Sequence, residues 1–86
     1  FFTSGTSAKP KGVVLSYREL LPNAAATAEA FGLGPDDRIY DYRSFNWASA
    51  QILSALATIS AGATLVLGRK FSRSRFFADI AAHRAT

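Results

Sequence analysis

Apolar residues along this chain fall in short blocks whose spacing switches between two periods. Val13, Val14 and Leu15 form a contiguous apolar run, which predicts a short strand. From Leu20 the spacing changes. Leu20, Ala24, Ala28 and Phe31 recur at three- and four-residue intervals and predict a helix reaching about Phe31. Ser16-Tyr17-Arg18-Glu19 has capping-box form, in which Ser16 and Glu19 satisfy each other's backbone amides at the helix start. Pro22 stands in the early turns, where proline costs least, and Gly32 is a natural stop because left-handed backbone is free to glycine. Gly34-Pro35-Asp36-Asp37 predicts a turn, and the alternating Arg38-Ile39-Tyr40-Asp41-Tyr42 a strand. A second helix is expected from Trp47 to about Ser60, capped by Asn46, then a buried strand from Ala63 to Leu67. A third helix, from Arg73 to His83, would be capped by Ser72 and turn Phe76, Phe77 and Ile80 inward. The order strand, helix, strand, helix, strand, helix predicts an α/β layer with a largely parallel sheet.

Residues 44–68 carry no charge and are numerous enough to cross a bilayer. Their polar content (Asn46, Ser49, Gln51, Ser54, Thr58, Ser60, Thr64) and the glycine at Gly62 ahead of a β-branched run argue instead for helix, stop and strand, with no membrane span. A hydrophobic fraction of 49% over 86 residues excludes a disordered chain. Cysteine is absent, which excludes disulfides and thiolate metal sites and fits a cytoplasmic protein. The formal charge of +4 invites a nucleic-acid reading, but the basic residues are spread out. Arg69, Lys70, Arg73 and Arg75 form the one local cluster: a solvated turn and helix start, or the footing of a small basic nucleic-acid-binding module. His83, near a helix end, suits a surface position. A polar loop directly after Phe1 and Phe2, and a stop at Thr86 just after a helix, suggest strands beyond both ends. The 86 residues are therefore expected to be an internal fragment, truncated at both ends, of a larger domain.

The densest chemistry lies in residues 2–12, Phe2-Thr3-Ser4-Gly5-Thr6-Ser7-Ala8-Lys9-Pro10-Lys11-Gly12, with four hydroxyls, two glycines and two lysines between apolar flanks. Glycine lets a backbone approach oxygen atoms closely, and successive amides form an anion-binding nest. The hydroxyls can donate to phosphate oxygens or ligate magnesium, and the lysines add positive charge. The same residue types also make an ordinary solvated hairpin tip, so composition leaves both readings open. The spacing is not that of a Walker loop, because Lys11 precedes Gly12.

This run resembles the signature loop of the adenylate-forming (AMP-binding) superfamily, which includes acyl-CoA synthetases, luciferases and the adenylation domains of peptide synthetases. The family loop reads aromatic-Thr-Ser-Gly-Ser/Thr-Thr-Gly-x-Pro-Lys-Gly. Phe2, Thr3, Ser4, Gly5, Thr6, Lys9, Pro10, Lys11 and Gly12 fit it, and Ser7 replaces Thr conservatively. Ala8 replaces a glycine, which implies reduced loop mobility. The resemblance implies that residues 3–12 bind ATP. Thr3, Ser4, Thr6 and Ser7 would hold the phosphates, Thr6 would ligate Mg2+, Gly5 and Gly12 would let the loop bend, and Lys11 would stabilise charge or anchor it. A carboxylate would attack the α-phosphorus to give an acyl-adenylate and pyrophosphate, and coenzyme A would then accept the acyl group. Phe45 and Asn46 would border the acyl pocket, Asn46 standing where the family usually has His; read from the residues alone, Phe45 and Trp47 could be core aromatics and Asn46 a helix cap. The runs 60–67 and 70–72 resemble fatty-acyl and carnitine-type CoA ligases. The implied whole is thus an acid-thiol ligase acting on a small carboxylic acid with ATP and coenzyme A, or a relative that hands the adenylate to another acceptor. The 86 residues would be part of its N-terminal domain. The family's downstream Glu, ribose-binding Asp and mobile catalytic Lys fall outside this chain, so the resemblance assigns it no catalytic residue and no activity alone.

Overall fold

The computed structural model describes residues 1–3 and 9–86. Helix α1 spans Tyr17–Ala30, strand β1 Arg38–Asp41, a π-helical segment Ala50–Leu56 that runs on into α2 at Ala57–Ser60, strand β2 Thr64–Leu67, and α3 Phe76–Ala82. The two strands pair in parallel, with Arg38 opposite Thr64 and Asp41 opposite Leu67. The fold is α/β: the helical run from the π segment through α2 is the crossover that a parallel pair requires.

Local chemistry sets most of the boundaries. At the start of α1 the Glu19 carboxylate accepts from both the amide and the hydroxyl of Ser16, each at 2.8 Å. Its C-terminus closes in a Schellman motif, with Leu33 N–H donating to Ala28 O at 2.9 Å, Gly32 N–H to Glu29 O at 3.0 Å, and Gly32 at φ +63°. The end of α2 repeats this around Gly62 (φ +69°), where Ala63 N–H donates to Thr58 O at 3.0 Å. The end of α3 uses the same motif with Arg84 at φ +52° in the glycine position.

The core between α1 and the crossover helix is built from small side chains. Ala24, Ala28, Ala50, Ala55 and Ala57 are buried, with Ser54 and Thr58 beside them. Small residues let helix backbones approach closely, which is why α1 can lie directly on the π segment and α2. A second, aromatic cluster docks α3 on the sheet: the Phe76 ring lies 6.2 Å from Tyr40, 5.9 Å from Tyr42 and 5.7 Å from Phe71. Such pairs contribute about 0.5–1.5 kcal/mol each beyond burial.

Four expectations are corrected. Val13, Val14 and Leu15 form no strand: Phe2 and Gly12 make a single antiparallel bridge, and Val14 is 95% exposed, with no backbone partner among the described residues. Phe77, expected to turn inward, is 79% exposed, and it meets the aromatic cluster edge-on at Phe76, 5.4 Å centroid to centroid. Asn46 caps no helix; its amide donates to Ser44 Oγ at 3.3 Å, and the expected α-helix from Trp47 is largely a π-helix. The third helix starts at Phe76 instead of Arg73, because Ser72 turns its hydroxyl to Ser74, 3.4 Å away, and residues 73–75 form a turn. The expectation for residues 44–68 is met by helix, turn at Gly62 and strand. No helix among the described residues is long and apolar enough to cross a membrane.

Candidate functional site

The two segments singled out in the sequence meet at one cleft. The stem of the loop is a short antiparallel clasp. Thr3 N–H donates to Lys11 O at 2.9 Å, Val13 N–H donates to Phe1 O, and the Phe1 nitrogen donates to Val13 O at 3.1 Å. Lys11 N–H donates to Thr3 Oγ1 at 3.0 Å. Thr3 therefore closes the base of the loop by accepting at its hydroxyl oxygen. Lys9, Pro10, Lys11 and Gly12 are exposed. The Phe2 ring covers Gly12, with Cε1 3.6 Å from where a Cβ would stand. Ser4, Gly5, Thr6, Ser7 and Ala8, and with them the Thr6 metal position, lie outside the described residues.

The open cleft beside this stem has a volume of about 1150 Å³. Phe2, Thr3, Lys9 and Pro10 line it on the loop side; Phe45, Asn46, Trp47 and Gln51 also line it. Phe45 and Trp47 are 41% and 61% exposed and line the cleft. Asn46 lines the cleft as well. Its amide is tied to Ser44, while the Gln51 amide group reaches back to donate to Phe45 O. The turn that carries these residues leaves the C-terminal end of β1, the position where parallel α/β sheets place ligands.

The sequence reading missed the pair beneath this turn. Asp41 is the last residue of β1 and only 4% exposed. The Arg43 guanidinium grips it bidentately, Nε to Oδ1 at 3.0 Å and Nη2 to Oδ2 at 2.7 Å, and the Arg43 amide adds a bond to Oδ1 at 2.8 Å. Arg43 also donates to Ser49 Oγ at 3.1 Å and to Ser54 Oγ. Burial alone would raise the Asp41 carboxyl; the bonds from Arg43 and Ser54 and the guanidinium charge outweigh it and hold the group at about 2. The signal in the sequence was an acid and an arginine two apart at a strand end, with serines following. Nothing in their spacing showed that all four converge.

A separate, smaller cleft of about 420 Å³ lies beyond β2, lined by Gly68, Arg69, Lys70, Arg75 and His83 among others. His83 sits at the end of α3, its ring stacked 6.5 Å from that of Tyr40, while its carbonyl accepts from Arg38 Nε at 2.8 Å. Among the described residues no group of three or more His, Asp or Glu is placed to hold a metal ion.

Comparison with known proteins identifies the family. The model of the family described as "AMP-binding enzyme" matches residues 1–86. Among curated proteins, the chain is 34% identical over 85 residues to a sulfoacetate–CoA ligase of Cupriavidus necator, covering 99% of this chain and 17% of that protein. It is 36% identical over 85 residues to a crotonobetaine/carnitine–CoA ligase of Escherichia coli, covering 99% and 16%. It is 40% identical over 78 residues to the human long-chain fatty acid transport protein 6, covering 91% and 12%. The chain thus spans less than a fifth of the length of these relatives.

Proposed function

Because the chain belongs to the AMP-binding enzyme family, we propose that it is part of the N-terminal domain of an ATP-dependent carboxylate–CoA ligase. In this reading residues 3–12 hold the β- and γ-phosphates of ATP, with Thr6 on the accompanying Mg2+, while a carboxylic acid attacks the α-phosphorus. The acyl-adenylate then passes its acyl group to coenzyme A. Phe45 and Asn46 border the acid. The observation that carries the proposal is the opposition of the loop stem to Phe45 and Asn46 across one cleft, so that phosphate-binding and acid-binding groups face a shared space. Thr3 supports it by placing a hydroxyl at the loop base. Thr6 would hold the magnesium ion, which would supply positive charge against the charge developing on the phosphates. Relatives that are CoA ligases for sulfoacetate, for medium- and long-chain fatty acids and for crotonobetaine or carnitine favour coenzyme A as acceptor and a fatty or carnitine-type acid as substrate. The exposed Val14, Phe31 and Phe77 favour a larger domain that covers them. We place the enzyme in the cytoplasm.

The test uses the whole protein that carries this chain. Thr6→Ala and Lys11→Ala are made separately, and carboxylate-dependent exchange of pyrophosphate into ATP is followed. Loss of one charge-assisted phosphate contact removes on the order of 1.5–3 kcal/mol, which is roughly tenfold or more in rate. Unchanged exchange in both variants refutes the phosphate role of the loop. A parent protein that shows no pyrophosphate exchange with any carboxylate, yet binds random DNA with steep salt dependence, is instead a basic nucleic-acid-binding module.

A further inference from the structure

Between the end of β1 and the π segment, the turn over residues 44–48 carries Phe45, Asn46, Trp47 and Ala48, four of the residues that line the cleft. One guanidinium holds both ends of this turn. On the strand side Arg43 is locked to the buried Asp41 by Nε and Nη2, and on the helix side it reaches Ser49 and Ser54. Ser49 and Ser54 are five residues apart. In an α-helix such residues point roughly 140° away from each other. The i→i+5 closure of a π-helix winds the backbone more slowly and swings the pair toward one face. The π geometry of Ala50–Leu56 thus serves the two contacts that Arg43 makes.

The geometry points to Arg43 as a positioning residue that sets the acid-binding wall of the cleft. It does so through Phe45, Asn46 and Trp47, without touching substrate. Three of its nitrogens are committed inward, to Asp41, Ser49 and Ser54, and the adjacent carboxylate balances its charge, so it is a poor anchor for a substrate carboxylate. It works as a staple. With Arg43 in place the turn leaves the strand in one direction, and the aromatic pair Phe45 and Trp47 faces the loop stem. Without that side chain the turn keeps the residue 43 N–H to Asp41 Oδ1 bond at 2.8 Å and the local bonds Trp47 N–H to Ser44 O at 3.0 Å, Asn46 N–H to Ser44 Oγ at 3.3 Å and Gln51 to Phe45 O, but it loses the link that joins the buried carboxylate to Ser49 and Ser54 on the helix side. Lysine cannot replace the staple, because an ammonium lacks the planar fork that spans a carboxylate and two hydroxyls together. The inference rests on the ligase reading for its substrate, but not for its geometry.

Both parts are tested on the whole protein with Arg43→Ala, Arg43→Lys and Ser54→Ala. In pyrophosphate exchange, Arg43→Ala is expected to raise the KM for the carboxylate about tenfold or more while leaving the KM for ATP within about twofold. Arg43→Lys does not restore it, and Ser54→Ala shifts the carboxylate KM in the same direction by about threefold. Hydrogen exchange supplies a readout free of activity: the amides of Trp47, Ala50 and Gln51 speed up in Arg43→Ala, while those of Leu65, Val66 and Leu67 in β2 keep their wild-type rates. Equal rises in both KM values, unchanged kinetics, or acceleration spread evenly over the chain would mean that Arg43 only supports the fold, and each overturns the proposal. If the wild-type protein shows no pyrophosphate exchange with any acid, the ligase reading fails alone. Local acceleration at residues 47–51 then still upholds the staple, and its absence refutes it.

Discussion

Gly68→Ala tests how tightly the end of the sheet is packed. Gly68 directly follows β2, and its N–H donates to Asp41 O at 2.8 Å, so its backbone is held against β1. A Cβ added there would press on Tyr40 Oη and stand 2.8 Å from Tyr40 Cζ and 3.2 Å from Cε2. Contacts near 2.8 Å between carbon atoms lie well inside the optimal separation of about 3.5–4.0 Å, so one side must move. The backbone is pinned by its hydrogen bond, and the ring has little room. Tyr42 lies 6.4 Å away, Phe76 6.2 Å and His83 6.5 Å, centroid to centroid, and the phenol donates to Asp79 Oδ2 at 3.4 Å. Overpacking of this kind costs about 1–3 kcal/mol. Urea denaturation of the protein carrying Gly68→Ala, at unchanged m value, should show that loss as a lower midpoint. The decisive comparison repeats the substitution in a Tyr40→Leu background, where the shorter side chain leaves room. There the added methyl should cost less by about 1 kcal/mol or more, a coupling expected of residues in contact. A Gly68→Ala protein within about 0.5 kcal/mol of wild type, or an equal loss in both backgrounds, would refute the steric argument.

Two further outcomes follow from charge and backbone geometry. The Asp41 carboxyl lies at about 2 against its usual 3.8, so its pairing with Arg43 stabilises the folded state fully above pH 4 and is lost as the pH falls through 2; the shift corresponds to about 2 kcal/mol. Asp41→Asn should therefore be less stable at neutral pH but show a flatter stability profile between pH 4 and 2, and an unchanged slope in acid would exclude Asp41 as its source. Arg84, at φ +52° in the glycine position of a Schellman motif, should gain about 0.5–1 kcal/mol when replaced by glycine, because the left-handed strain is relieved; a lower urea midpoint for Arg84→Gly would show that its side chain contributes more than the strain costs.

Elements whose cause is local were legible in the amino-acid sequence. The Ser16 and Glu19 cap, the stops at Gly32 and Gly62, the alternating β1 and the parallel α/β order each depend on neighbours a few residues away, and each stands where periodicity and capping chemistry put it. The family was legible for the same reason, since the hydroxyl- and glycine-rich run that carries the resemblance lies in consecutive residues. What only the tertiary structure decided depends on groups brought together from afar. Phe31 and Phe77 stand at helical spacing, yet α1 buries Ala24 and Ala28 and leaves Phe31 exposed, while α3 packs through the half-buried Phe76, against whose ring the exposed Phe77 lies edge-on at 5.4 Å. Val13, Val14 and Leu15 have strand propensity but no neighbouring strand among the described residues to pair with, and propensity without a ladder makes no sheet. The switch from α to π geometry at Ala50–Leu56 carries no local signature. It accompanies the convergence of Asp41, Arg43, Ser49 and Ser54, and a buried carboxylate takes its partners from whichever donors the packed chain brings within reach.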